Sequence, residues 1–150
     1  MDKKSFIHHA TKILVDVMFY GGILTCIALP FIMPVLVGWF EYEPVSINFY
    51  SAILTVAGIC AVYVLFQLKT MLKTLVGGEP FVKKNVSCLR KCGVASFLMS
   101  AIFFIRIIIM FTIGSVIIVI IFALLGLFVL TLKDVFKQAV LYKEENDWTV

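Results

Sequence analysis

Four apolar runs, at about 13–37, 51–67, 93–111 and 115–132, divide this chain, and each is long enough to cross a bilayer. A hydrocarbon core of ~30 Å takes about 20 helical residues. Backbone N–H and C=O groups find no water there, so each run must close its own hydrogen bonds as a helix. The composition agrees, with 62% hydrophobic and only 15% charged residues. Four spans leave too little of 150 residues for a separate soluble domain. The expected fold is therefore all-α: an integral membrane four-helix antiparallel bundle with short cytoplasmic helical extensions, one domain over 1–150.

The cations set the expected orientation. Lys3, Lys4 and Lys12 precede the first span. Lys69, Lys73, Lys83, Lys84, Arg90 and Lys91 lie between the second and third, and Lys133, Lys137 and Lys143 follow the fourth. The other two connections have none. Cytoplasmic loops collect Lys and Arg, so both termini and the 67–92 hairpin are expected in the cytoplasm. The net charge of +4 is a topology signal. No module for reading nucleic acid accompanies it, so direct nucleic-acid binding is not expected.

The first span is too long for a signal-peptide core and has no cleavage site after it. Pro30 and Pro34 near its end each remove a backbone donor, which predicts a kink or a broken last turn. Asp16 stands one turn after Lys12, so an i,i+4 pair is expected there. Trp39, Phe40, Tyr42, Phe49 and Tyr50 surround Glu41 and Glu43 as an aromatic belt at headgroup level.

Arg106 is the one charge deep in a span. A bare buried guanidinium is costly, so it must snorkel or pair. Glu41 and Glu43 are its expected partners as an intramembrane ion pair. Cys88 and Cys92 share a helical face at i,i+4 spacing, and with His8 and His9 they pose the question of a metal or redox role. Small packing residues are the simpler reading. No hydrolytic constellation, phosphate loop or cofactor pattern is present, so no catalytic residue, metal or cofactor is assigned, and an enzyme is not expected.

Beyond the second span, Leu65, Leu68, Leu72, Leu75 and Val76 recur at helical spacing. Gly77 and Gly78 should end that helix, and Pro80 should open a short new one through Lys91. Leu132, Val135, Phe136, Ala139 and Val140 likewise prolong the fourth span to about Lys143, ahead of a polar tail. Short helices are marginal alone. The three extensions, Leu68 and Leu72 with Val86, Leu89, Phe136 and Val140, are therefore expected to pack as one cytoplasmic cluster, with the tail tip on it or on a partner.

The stretch GGEPFVKKNVSCLRKCG has a Gly-x-Pro-Phe turn, then Asn and a Leu-Arg pair entering the third span. The ending KEENDWTV sets acidic residues before a bulky apolar residue, Thr and a β-branched residue. In both, the chain resembles small bacterial four-span membrane proteins that carry domain of unknown function 2975. Trp148 stands where that pattern has Leu. The resemblance implies the fold and a bacterial cytoplasmic-membrane location but no established activity. It also implies a setting, since members are often encoded beside a small helix-turn-helix transcription regulator.

The expected function is that of a membrane-embedded regulatory or interaction protein that docks such a regulator. The candidate docking residues are Gly77, Gly78, Pro80, Phe81, Asn85, Leu89, Arg90, Trp148, Thr149 and Val150. The alternative is a small transporter, or an immunity or resistance factor against a membrane-active compound. The bilayer is the first partner, and homo-oligomerisation is open.

Overall fold

The computed structural model describes residues 3–38 and 44–149, with side chains described over 9–35 and 48–149. Four helices follow one another: α1 (Lys3–Gly38), α2 (Pro44–Val76), α3 (Lys83–Ile109) and α4 (Ile113–Trp148). All four are long and apolar enough to cross a membrane. The chain is a multi-pass membrane protein and an all-α four-helix bundle. At ~1.5 Å per residue the 36 residues of α4 reach roughly 54 Å, well beyond a ~30 Å hydrocarbon core. The tail end holds the α2–α3 turn and the end of α4, and the Met110 end holds the α3–α4 turn.

The helices run antiparallel, each packed on its neighbour in the chain: α1 on α2, α2 on α3, α3 on α4. The innermost cluster is Ala57 of α2 with Met99 and Phe103 of α3, and Cys60, Ile118, Val119 and Phe122 of α2 and α4 pack against it. Lipid tails are as apolar as leucine, so close fit has to hold helices together in a membrane. Gly93 and Gly126 supply it between α3 and α4. A Cβ on Gly93 would lie 2.8 Å from Leu130 Cγ, and one on Gly126 3.0 Å from the Phe97 ring. Each helix thus offers a notch to a side chain of the other.

Several local expectations need correction. α1 continues as helix through Pro30 and Pro34 to Gly38, so of the kink and the broken last turn the broken turn does not occur. No short helix opens at Pro80: residues 79–82 are not helical, and α3 runs unbroken from Lys83 into the span. α4 does not stop near Lys143 but carries the expected polar tail in helical form to Trp148. The extensions do not form one cluster. Leu72 faces α1, lining a small cavity with Val15 and Asp16, and α2 makes no close approach to α4 among the described residues. Only the 77–82 turn and the start of α3 reach α4.

Candidate functional site

At the tail end, α2 closes as the sequence leads one to expect. Gly78 takes φ +82°, a conformation that costs glycine little. Gly78 N–H bonds the Leu75 carbonyl at 3.2 Å and Glu79 N–H bonds the Thr74 carbonyl at 3.1 Å. This paired 5→2 and 6→1 closure satisfies carbonyls that the helix end would leave bare.

Asn85 locks the turn that follows. It is 1% exposed, the most enclosed side chain of α3. Its Nδ2 donates to the Pro80 carbonyl at 2.7 Å, and its Oδ1 accepts from the Thr74 hydroxyl at 2.8 Å. A carbonyl only accepts, so Nδ2 must face Pro80. That leaves Oδ1 towards the Thr74 hydroxyl, whose one proton is shared between Asn85 Oδ1 and the Met71 carbonyl at 2.7 Å. One amide therefore ties the end of α2, the turn and the start of α3. Asn85 and Leu89, both candidates for docking, face the interior and present no surface.

The turn is also tied to α4. The Phe81 and Phe136 ring centroids are 5.4 Å apart. Lys83 Nζ is 2.8 Å from Glu144, and Lys143 Nζ is 3.7 Å from Glu79. Tyr142 and Trp148 stay exposed on α4, Trp148 at 89%. The Thr149 hydroxyl turns back on the Glu145 carbonyl at 2.7 Å, closing the end of the helix. Gly77 and Gly78 are exposed, Pro80 is half-buried, and Arg90 opens on the outer side of α3. Val150 lies outside the described residues.

At the Met110 end, Arg106 donates to the Ser115 hydroxyl across the α3–α4 turn and lies over the Tyr50 ring, 4.9 Å from its centroid. The Tyr50 hydroxyl donates in turn to the Met110 thioether at 2.8 Å. Ser115 is almost fully buried, so the cation is led inward to a hydroxyl and an aromatic face. Glu41 and Glu43, the expected partners of Arg106, lie outside the described residues.

Asp16 departs from expectation, since it pairs with Lys69 of α2 at 2.9 Å rather than with Lys12. Lys69 also lies over the Phe19 and Tyr20 rings, 5.2 and 4.8 Å from their centroids. Cys88 and Cys92 do share a face of α3, both buried and both free thiols. No three His, Cys, Asp or Glu side chains converge as a metal site among the described residues.

Sequence reasoning missed Ser115, Tyr50 and the clasp made by Asn85. Ser115 shows no pattern in a run of apolar residues. The sequence places Tyr50 in a belt of rings and Asn85 among the docking residues, and neither reading leads to the contact found.

Comparison with curated proteins finds no match, and none is found among solved structures. One family model does match, over residues 32–150, from the last turns of α1 through the whole of α2, α3 and α4. The chain belongs to the family described as protein of unknown function (DUF2975).

Proposed function

We propose that this protein is a non-enzymatic, membrane-embedded interaction protein whose tail end docks a cytoplasmic partner. The first partner to test is a small helix-turn-helix regulator of the kind often encoded beside members of the family. The observation that carries this reading is the platform at the tail end. The Phe81–Phe136 contact braces the turn against α4, the open pairs Lys83–Glu144 and Lys143–Glu79 line its rim and add little, and Trp148 stands free beside it. Trp is over-represented among residues that carry binding energy, and a braced platform loses little entropy on binding. The Lys and Arg pattern supports a cytoplasmic tail end in a bacterial cytoplasmic membrane.

The experiment is capture of such a regulator by the full chain in membranes. Wild type and Lys84→Ala should retain it equally. Trp148→Ala should reduce retention by roughly 30-fold if Trp148 is an anchor. No capture by wild type, or equal capture by Trp148→Ala, refutes the docking reading. A growth defect under a membrane-active toxin that appears only without the gene would favour a resistance role instead. A reporter active only in the cytoplasm, fused after Val150, should be active. A silent reporter would place the platform on the wrong side.

A further inference from the structure

A groove of about 580 Å³ runs between α2 and α3 on the outside of the bundle. Ile59, Tyr63, Val94 and Leu98 form its apolar length, and Arg90 and Lys91 stand at its tail-end mouth. No carboxylate lines it. Neither cation forms an ion pair among the described residues. From Arg90 to Leu98 the helix descends roughly 12 Å into the span. The apolar walls are themselves exposed on the isolated chain, Leu98 at 53%, so they face whatever surrounds the bundle.

We infer that this groove is a binding site for an anionic phospholipid of the surrounding bilayer. The site has the two chemistries of that molecule in the right order. A phosphodiester anion needs cations at headgroup depth, and basic pockets between spans meet that need. The acyl chain below it needs an apolar channel, which the Ile59–Leu98 walls supply. A zwitterionic lipid would bring its own cation against Arg90 and Lys91 and lose the advantage. A free phosphate would leave the channel empty. The inference stands on the groove alone and does not depend on the docking of a regulator.

The test is native mass spectrometry of the full chain in detergent. The protein is offered phosphatidylglycerol and phosphatidylcholine with identical acyl chains. Wild type should retain phosphatidylglycerol preferentially, and Arg90→Gln and Lys91→Gln should each lower the preference by roughly fivefold. Lys84→Gln, an exposed cation of the same end outside the groove, should leave it unchanged. Ile59→Trp, which fills the channel and keeps both cations, should lower retention of either lipid. Glycerophosphoglycerol and inorganic phosphate should not displace the lipid at matched concentration.

Equal retention of the two lipids by wild type overturns the proposal. So does a Lys84→Gln effect as large as that of Lys91→Gln. Displacement by glycerophosphoglycerol or phosphate would make this a free-anion site, and lipid-free dimers would make it an interface between copies. If Arg90→Gln does not fold, Lys91→Gln and Ile59→Trp decide the matter.

Discussion

The two hairpins of this molecule are built to different standards. Between α3 and α4, two glycines receive a side chain from the opposite helix, and Ser100 donates to the Val119 carbonyl at 3.1 Å. Arg106 then fastens the Met110 end to Ser115. Between α1 and α2 the fit is thinner. Gly22 meets Val62, Gly58 meets Cys26, and the Asp16–Lys69 pair sits near the tail end. α3 is the helix with most of the buried residues, whereas α1 has no buried side chain among those described. α1 touches only α2. In lipid, where apolar burial drives little, fit and hydrogen bonds decide what belongs to the core. By burial and hydrogen bonds α2, α3 and α4 are the body, and α1 is a wing laid against α2 along a seam as extensive as that between α2 and α3.

The comparison breaks most sharply at Gly93. Its missing Cβ would collide with Leu130 Cγ, which sits too close to its own backbone to swing aside. Gly93→Leu is therefore expected to cost about 1–3 kcal/mol or more, through overpacking and separation of α3 from α4. Gly126→Leu should cost less, because the Phe97 ring is partly exposed and can move. Gly114→Ala, where nothing lies within 4 Å, should be near neutral. Thermal inactivation and loss of the monodisperse peak in detergent would rank the three. A tolerant Gly93→Leu protein would remove the reason for treating α3–α4 as the body.

The next effect belongs to Asn85. Asn85→Leu keeps the volume but leaves the half-buried Pro80 carbonyl without its donor, while the Thr74 hydroxyl keeps the Met71 carbonyl at 2.7 Å as a partner. The expected loss is about 1–3 kcal/mol, felt as loosening of the 77–82 turn. Limited proteolysis at that turn should accelerate in the variant, while the Met110 end stays protected. Unchanged cleavage would mean the turn is held by Phe81 on Phe136 and the two ion pairs.

What the sequence yields and what it hides divide along physical lines. A span is a sum over some twenty residues, and its signal survives any single exception. Gly77–Gly78 was legible because a helix end has its own backbone chemistry. The partner of Lys69 was not legible. Lys12 and Asp16 satisfy the local i,i+4 rule, and only the pairing of α1 with α2 brings in a cation 53 positions away. The Gly93–Leu130 contact is hidden for the same reason, since helix register lies in neither helix alone. Leu72 was read onto the wrong neighbour because an apolar stripe states that a face is covered and not by what.

Gly58 tests how the wing is held. A Cβ there would stand 2.6 Å from the Cys26 sulfur, which can rotate away from a methyl group but not from a larger side chain. Gly58→Leu should release α1 and leave α2, α3 and α4 folded. Cysteines at Val15 and Leu72, which flank one small cavity between α1 and α2, report this as lost crosslinking in membranes. Global unfolding of Gly58→Leu would show that α1 is part of the body after all.

The smallest effect is expected at Asp16. Asp16→Asn keeps the shape and a hydrogen-bonding oxygen and removes only the charge. Lys69 loses its counter-ion but keeps the Phe19 and Tyr20 ring faces. The Asp16 Oδ1 that faces Lys69 is enclosed, but both side chains are partly open, at 26% and 31% exposure, and half-open pairs contribute modestly. The Val15–Leu72 crosslink should therefore fall by less than about twofold in Asp16→Asn, whereas Gly58→Leu abolishes it. If Asp16→Asn abolishes it too, the wing is held by charge rather than fit. The two hairpins would then differ in the kind of force that joins them as well as in its amount.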